Sequence, residues 1–166
     1  MIYIDFDGVI VDTWPKIMDE YFHKYKNYDV EETKLRNLFA EISWDEILNN
    51  SKVNEKNITL LKNIKYGNVA ILTKINTVSE KKAKIKFLKE NNIRLDVIFV
   101  DIDNSKTQAV MAENNILIDD ELKNLNEWVE KGGIGILYSK NDNHNDSNGE
   151  LNTKYEEICE LTSFLL

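Results

Sequence analysis

Short apolar runs recur along the chain, separated by stretches whose apolar residues return at helical spacing. Residues 2–6 (IYIDF) form the first run and predict a buried strand. Runs at 69–72, 95–100, 116–118 and 134–138 predict four more, near-continuous in apolar character as expected of strands covered on both faces. After Gly8 the apolar triplet Val9-Ile10-Val11 leads to Asp12 and Thr13, which mark a helix start with Pro15 in its first turn. Ile17, Met18, Tyr21, Phe22 and Tyr25 carry that helix to about residue 25. Asp29 with Glu32, and Ser43 with Glu46, read as capping boxes for helices over about 30–42 and 43–48. Asn54 starts a fourth helix that ends near Tyr66, with Gly67 as its C′ residue. Thr77 and Glu80 cap a helix to about residue 90. Its apolar face is Val78, Ile85 and Leu88, and Lys81, Lys82, Lys84, Lys86 and Lys89 are read as its solvated side. Residues 105–113 and 121–131 are helical, the latter with Leu122, Leu125, Trp128 and Val129 inward and Gly132-Gly133 at its end. Residues 140–149 are an Asn-rich solvated loop, and a last helix covers about 153–164.

Strands alternating with helices imply an α/β fold, a Rossmann-like parallel sheet with helices on both faces. The helical stretch after the first strand is too long for a plain crossover. It divides the chain into residues 1–13 plus 67–166, the sheet-bearing core, and 14–66, a small helical cap inserted after strand 1 together with the crossover helix.

The chain's 166 residues, 42% of them hydrophobic, suffice for one core-bearing domain. A net charge of −8 argues against a nucleic-acid polymer as partner, since tracking a phosphate backbone needs a basic face. One cysteine excludes an internal disulfide and fits a cytoplasmic setting. No apolar run approaches a membrane span, so no membrane is expected. Two separated histidines, His23 and His144, are read as surface residues and leave too few soft ligands for zinc.

In parallel sheets ligands bind outside the carboxyl ends of the strands. Asp5 and Asp7, Thr73, and Asp119 and Asp120 all fall at such ends. Asp5 and Asp7 lie two apart, so a strand directs both to one side, and two like charges side by side are costly without a cation. An all-oxygen set selects Mg²⁺. One carboxylate, aligned with a phosphorus atom, can act as a nucleophile. Thr73 supplies a hydroxyl to the transferring phosphoryl group, the backbone N–H groups around Phe6 and Gly8 add donors, and Lys106, opening a helix, supplies a cation. Lys74 or Lys82 are alternatives to Lys106 in reach of the same place.

The segment Asp5-Phe6-Asp7-Gly8-Val9 resembles the first motif of the haloacid dehalogenase-like (HAD) phosphohydrolases, Asp-x-Asp-Gly-(Thr/Val). Thr73, Lys106 and Ile116-Leu117-Ile118-Asp119-Asp120 resemble the second, third and fourth motifs, in order. The Leu-Ile-Asp-Asp string and the Gly-Ile-Leu-Tyr strand also resemble the 5′(3′)-deoxyribonucleotidase branch. The resemblance implies a sheet of order 3-2-1-4-5. It implies an aspartyl-phosphate on Asp5, with Asp7 protonating the leaving oxygen and then activating water. It further implies Mg²⁺ held by Asp5, the Asp7 backbone carbonyl and a fourth-motif acid, Asp120 before Asp119, and a phosphoryl group bound by Thr73 and Lys106. The expected activity is Mg²⁺-dependent hydrolysis of a small phosphate monoester, a nucleoside monophosphate first. A phosphosugar phosphatase or mutase, or a silent phosphate-binding protein of the same fold, are the alternatives. In the cap, Trp14, Phe22 and Trp44 are read as core, with Trp14 and Lys74 also candidates for contact with the substrate. Cys159 is expected to be buried and inert in the last helix.

Overall fold

The computed structural model describes residues 1–65, 67–139 and 155–165. In chain order the described elements are β1 (Ile2–Ile4), β2 (Val11–Asp12), α1 (Trp14–Tyr25), α2 (Glu32–Glu41), α3 (Trp44–Asn50), β3 (Lys52–Val53), α4 (Glu55–Asn63) and β4 (Val69–Ile75). They continue with α5 (Val78–Glu90), β5 (Asp96–Asp101), α6 (Lys106–Ala109), β6 (Ile116–Asp119), α7 (Leu122–Glu130), β7 (Ile134–Tyr138), β8 (Glu156–Ile158) and α8 (Thr162–Leu165).

Six strands form one parallel sheet in the order β5-β4-β1-β6-β7-β8. The five strands expected from the sequence take the order 3-2-1-4-5, and β8 adds a sixth at the β7 edge. Side chains of β1 alternate between two apolar layers. Ile4 joins a layer with Ile58 and Leu61 of α4 and Ala83 and Leu88 of α5. Tyr3 joins a layer on the other face with Leu125 and Trp128 of α7 and meets Trp128 edge-on at 5.5 Å. Thus the connections to β4 and β5 cover one face and α7 the other. The chain reverses direction across the sheet at β1, and the crevice at such a switch point lies beyond the carboxyl end of β1.

β2 and β3 pair antiparallel, Val11 opposite Val53, and α1, α2 and α3 lie between them in sequence. α4 then returns the chain to the sheet. Its Asn57 is fully buried: its amide N–H₂ donates to the Val9 carbonyl (3.2 Å) and the Tyr138 hydroxyl (2.8 Å), and its oxygen accepts from the Leu161 N–H (3.0 Å). One polar side chain therefore ties the turn after β1 to β7 and the C-terminal segment, with its buried groups satisfied.

Several expectations are corrected. The described part of the segment expected to be the last helix holds the three-residue edge strand β8 and only a short α8. Cys159 sits between them and is exposed, not buried. α2 starts at Glu32 after Glu31 and has no side-chain cap, so the Asp29–Glu32 box does not form. The Ser43, Asn54 and Thr77 caps do form. α4 ends at Asn63, and Gly67 is not in the left-handed region. Val78, Leu122 and Val129 face outward, while Leu125 and Trp128 are fully buried. Trp44 is core as expected, Phe22 is half-buried, and Trp14 is 49% exposed, not core. His23 is exposed. The Asn-rich stretch 140–149 and His144 lie outside the described residues. No helix among the described residues is long and apolar enough to cross a membrane.

Candidate active site

β1 delivers Asp5 and, through the turn that follows, Asp7. β6 ends at Asp119, directly beside β1 in the sheet, with the Asp5 N–H donating to the Ile118 carbonyl at 2.9 Å. Carboxylate oxygens of Asp5, Asp119 and Asp120 lie within 4.8 Å of one another. Gly8 makes room for this cluster. Its φ of +77° is left-handed, and a Cβ built there would fall 1.8 Å from Asp120 Oδ2, so the Asp120 carboxylate rests against the bare Cα.

Two buried lysines serve the two N-terminal carboxylates separately. Lys106 Nζ sits 2.9 Å from Asp5 Oδ1 and 2.6 Å from Asp119 Oδ2. Lys84 Nζ lies 2.5 Å from Asp7 Oδ2 and 2.8 Å from Glu80, and donates to Thr73 Oγ1 (3.1 Å) and the Lys74 carbonyl (2.9 Å). Burial opposes the charge on each lysine, but their acids outweigh it. Asp119 and Asp5 hold Lys106, and Asp7 and Glu80 hold Lys84, above the ordinary lysine range. Asp5 is shifted upward too, to about 8, first by burial and then by repulsion from Asp119, Asp7 and Asp120, with Lys106 alone pulling down. The two ammonium groups of Lys84 and Lys106 among five carboxylates, Asp5, Asp7, Glu80, Asp119 and Asp120, leave a surplus of negative charge. The donor set is all oxygen and suits a hard divalent cation. By that test Asp5, Asp119 and Asp120 fit the expected metal.

The remaining groups fix this arrangement. The Thr13 hydroxyl donates to Asp7 Oδ1 (2.9 Å) and so does not cap α1, although α1 begins where the sequence indicates. Asp119 Oδ1 accepts from the Glu121 N–H (2.9 Å), and the Asn124 amide donates to both Asp119 oxygens (3.2 and 3.1 Å). Asn124 Oδ1 is buried without a partner. The Phe6 N–H is occupied by Asp5 Oδ1 and the Gly8 N–H by the Val11 carbonyl.

A cavity of 520 Å³ opens above these groups. Asp5, Asp7 and Asp120 form part of its floor. Its apolar wall comes from the segment between β2 and β3, with Trp14, Ile17, Leu35, Phe39 and Trp44, and from Ile102 after β5. Lys74, on β4, lines it from the sheet side, and Lys82 faces outward. Every acid and hydroxyl singled out in the sequence therefore lies at one sheet edge, with Lys106 beside Asp5. The sequence reading missed Lys84, Thr13, Glu80 and Asn124. Lys84 is the main correction: read as part of a solvated face, it is 0% exposed. The one signal for it was Glu80 four residues earlier, a spacing that places both side chains together on a helix.

No protein-family model matches the chain, and no curated protein matches it by sequence. Solved structures do. A HAD hydrolase of family IA, variant 3, from Entamoeba histolytica HM-1:IMSS superposes with a TM-score of 0.62 at 14% identity, covering 99% of this chain and 95% of that one. The D,D-heptose 1,7-bisphosphate phosphatase from Burkholderia thailandensis gives 0.57 at 13%, covering 98% and 94%. A phosphonoacetaldehyde hydrolase like protein from Oleispira antarctica gives 0.59 at 9%, covering 83% and 71%. What is shared at these identities is the fold, and it is the fold of haloacid dehalogenase-like hydrolases.

Proposed function

We propose that the chain is a Mg²⁺-dependent phosphomonoester hydrolase that works through an aspartyl-phosphate on Asp5. The observation that carries this reading is the cluster of Asp5, Asp119 and Asp120 with Lys106 against Asp5, on the floor of a cavity at the sheet's switch point. Asp5, Asp119 and Asp120 would hold Mg²⁺ together with the Asp7 carbonyl; when bound, the ion supplies positive charge against the phosphoryl oxygens. An Asp5 carboxylate oxygen attacks phosphorus, the bond from phosphorus to the ester oxygen breaks, and Asp7 gives that oxygen a proton. Asp7 then takes a proton from water, whose oxygen attacks phosphorus. The Asp5–phosphorus bond breaks, and inorganic phosphate and the free carboxylate remain. At rest Thr13 engages one Asp7 oxygen and Lys84 the other, so a proton on Asp7 is accommodated on Oδ1, where the Thr13 hydroxyl can turn to accept it. Lys106 beside Asp5 would supply a cation and Thr73 a hydroxyl to the phosphoryl group, while Lys84 braces Asp7.

Residues 14–66 act as the cap and crossover helix over residues 1–13 plus 67–166. The segment between β2 and β3 roofs the floor with apolar side chains and so selects the leaving group. The aromatic wall of Trp14, Phe39 and Trp44 favours an ester with a flat or apolar body, such as a nucleoside monophosphate, over a bare sugar phosphate. The reading is tested with p-nitrophenyl phosphate. Hydrolysis is expected only with Mg²⁺ and should fall by at least about 10³-fold in Asp5→Asn. Pure wild-type protein that turns over no member of a broad phosphate-ester panel with Mg²⁺ is instead a phosphate-binding protein of the same fold.

A further inference from the structure

Two cations, Arg36 and Lys74, line the cavity away from its acidic floor. Its charged side chains away from the acidic floor pair off almost completely: Glu80 with Lys84, Glu32 with Arg36, and Glu121 accepting from Asn124. Lys74 lines the same cavity with no ion pair to a described residue. Arg36, on α2 opposite, has its guanidinium bridged out of the insertion to Asp103 in the loop after β5. Its Nη2 lies 2.6 Å from Asp103 Oδ1 and its Nη1 lies 3.3 Å from Oδ2. That is a two-point grip on a carboxylate, the geometry in which arginine recognises anions. The side chains are 48% and 64% exposed, so the pair is screened by solvent and readily exchanged. Glu32, one turn before Arg36, accepts from Nε (3.2 Å) and orients the fork.

We propose that Arg36, with Lys74 across from it, determines specificity: Arg36 trades Asp103 for a second anionic group on the substrate. The preferred substrates are then phosphate monoesters bearing a further carboxylate or phosphate on the leaving group, and a nucleotide meets this only when it bears a second phosphate. The inference rests on the phosphomonoesterase reading for the chemistry, but the anion site is testable by binding alone. The phosphoryl end sits over the floor, and the second anion falls between Arg36 and Lys74 while apolar walls hold what lies between.

The probes are 3-phosphonopropionate, which carries the second anion, and propylphosphonate, which lacks it. Neither holds an ester bond to cleave. With wild-type protein and Mg²⁺, calorimetry should show 3-phosphonopropionate binding about tenfold or more tightly than propylphosphonate. Arg36→Gln should erase that ratio, and Arg36→Lys should keep part of it. Asp103→Asn, which removes the resident competitor and leaves Arg36 in place, should tighten 3-phosphonopropionate several-fold without changing propylphosphonate. Equal affinities in wild type, a ratio that survives Arg36→Gln, or weaker binding of 3-phosphonopropionate in Asp103→Asn each overturns the proposal. A protein that hydrolyses no phosphate ester yet keeps the binding ratio loses the enzymatic reading and keeps the anion site.

Discussion

The two buried lysines of the site look alike and are built differently. Lys106 opens the four-residue α6 and neutralises Asp5 and Asp119, two members of the acidic cluster. Lys84 sits in mid-helix on the thirteen-residue α5 and neutralises Asp7 together with Glu80, its own helix neighbour. The acids around Lys106 have another route to charge balance, because the cluster that includes Asp5, Asp119 and Asp120 can take up a divalent cation. Glu80 has no such route. It is buried, and among the described residues it accepts, besides from Lys84, only from Asn76, through the backbone N–H (2.7 Å) and the side-chain amide (3.2 Å). On the proposed reading the difference teaches that Lys106 serves the chemistry and is replaceable in charge, whereas Lys84 holds the architecture under Asp7.

Removing each ammonium should separate the two roles, and this is the largest effect expected. Lys84→Met leaves Glu80 buried without its cation and Asp7 without its brace, at a cost of about 3–5 kcal/mol. Mg²⁺ should not recover that loss in thermal unfolding. Lys106→Met should lose stability on a similar scale in the absence of metal and recover most of it as Mg²⁺ is titrated, while phosphatase activity stays low. Adding Glu80→Gln to Lys84→Met should regain part of the lost stability, because the buried charge goes with its partner. If Mg²⁺ rescues both lysine variants equally, the distinction between them is wrong.

Gly8→Ala probes the same boundary with a smaller stability effect. The substitution forces an L-residue into φ +77° and drives a methyl into the Asp120 carboxylate. A cost of about 1 kcal/mol or more is expected from the backbone alone. Since Asp120 must move, the Mg²⁺-dependent rise in melting temperature should shrink in Gly8→Ala, whereas it should persist in Lys84→Met wherever that variant folds.

The lysines also mark where sequence reasoning stops. Asp5, Asp119 and Asp120 could be read because each follows an apolar run, and a parallel sheet brings strand ends together whatever the helices do. Lys106 could be read because it stands just before the last of those runs. Lys84 could not: α5 carries lysines at 81, 82, 84, 86 and 89, and a buried lysine has the same letter as a solvated one. Glu80 four residues earlier is the one local mark that sets Lys84 apart, and the tertiary position of Asp7 completes its burial. The apolar Val78 misled in the same direction, since the helix turns its Ala83–Lys84 side inward. β8 was missed because the buried residues in and around it, Tyr155, Ile158 and Leu161, recur every third position, as in a helix, while Glu156 and Glu157 face solvent from the sheet edge. β2 and β3 span two residues each, too few for any period to register, yet they bracket the insertion that roofs the cavity.

An exposed charge pair at the cavity rim sharpens the comparison from the other side. Arg36 and Asp103 are exposed where Lys84 and Glu80 are buried, and Arg36 draws the Asp103 carboxyl below its ordinary range by hydrogen bonding and by charge. A carboxyl whose folded pKa is depressed contributes stability that is present above its unfolded value, near pH 3.9, and lost as pH falls through the lower folded value. The melting temperature of wild type should therefore exceed that of Asp103→Asn by a small margin that is flat from about pH 5 to 8. The margin should close below pH 4 and also close in 1 M salt at neutral pH, where solvent-exposed charges are screened. Lys84→Met should keep most of its deficit in the same salt, because a buried charge such as Glu80 is screened far less than an exposed one. A margin for Asp103 that widened in acid, or survived high salt undiminished, would mean that Arg36 is bound as firmly as Lys84 and is not free to exchange partners across the cavity.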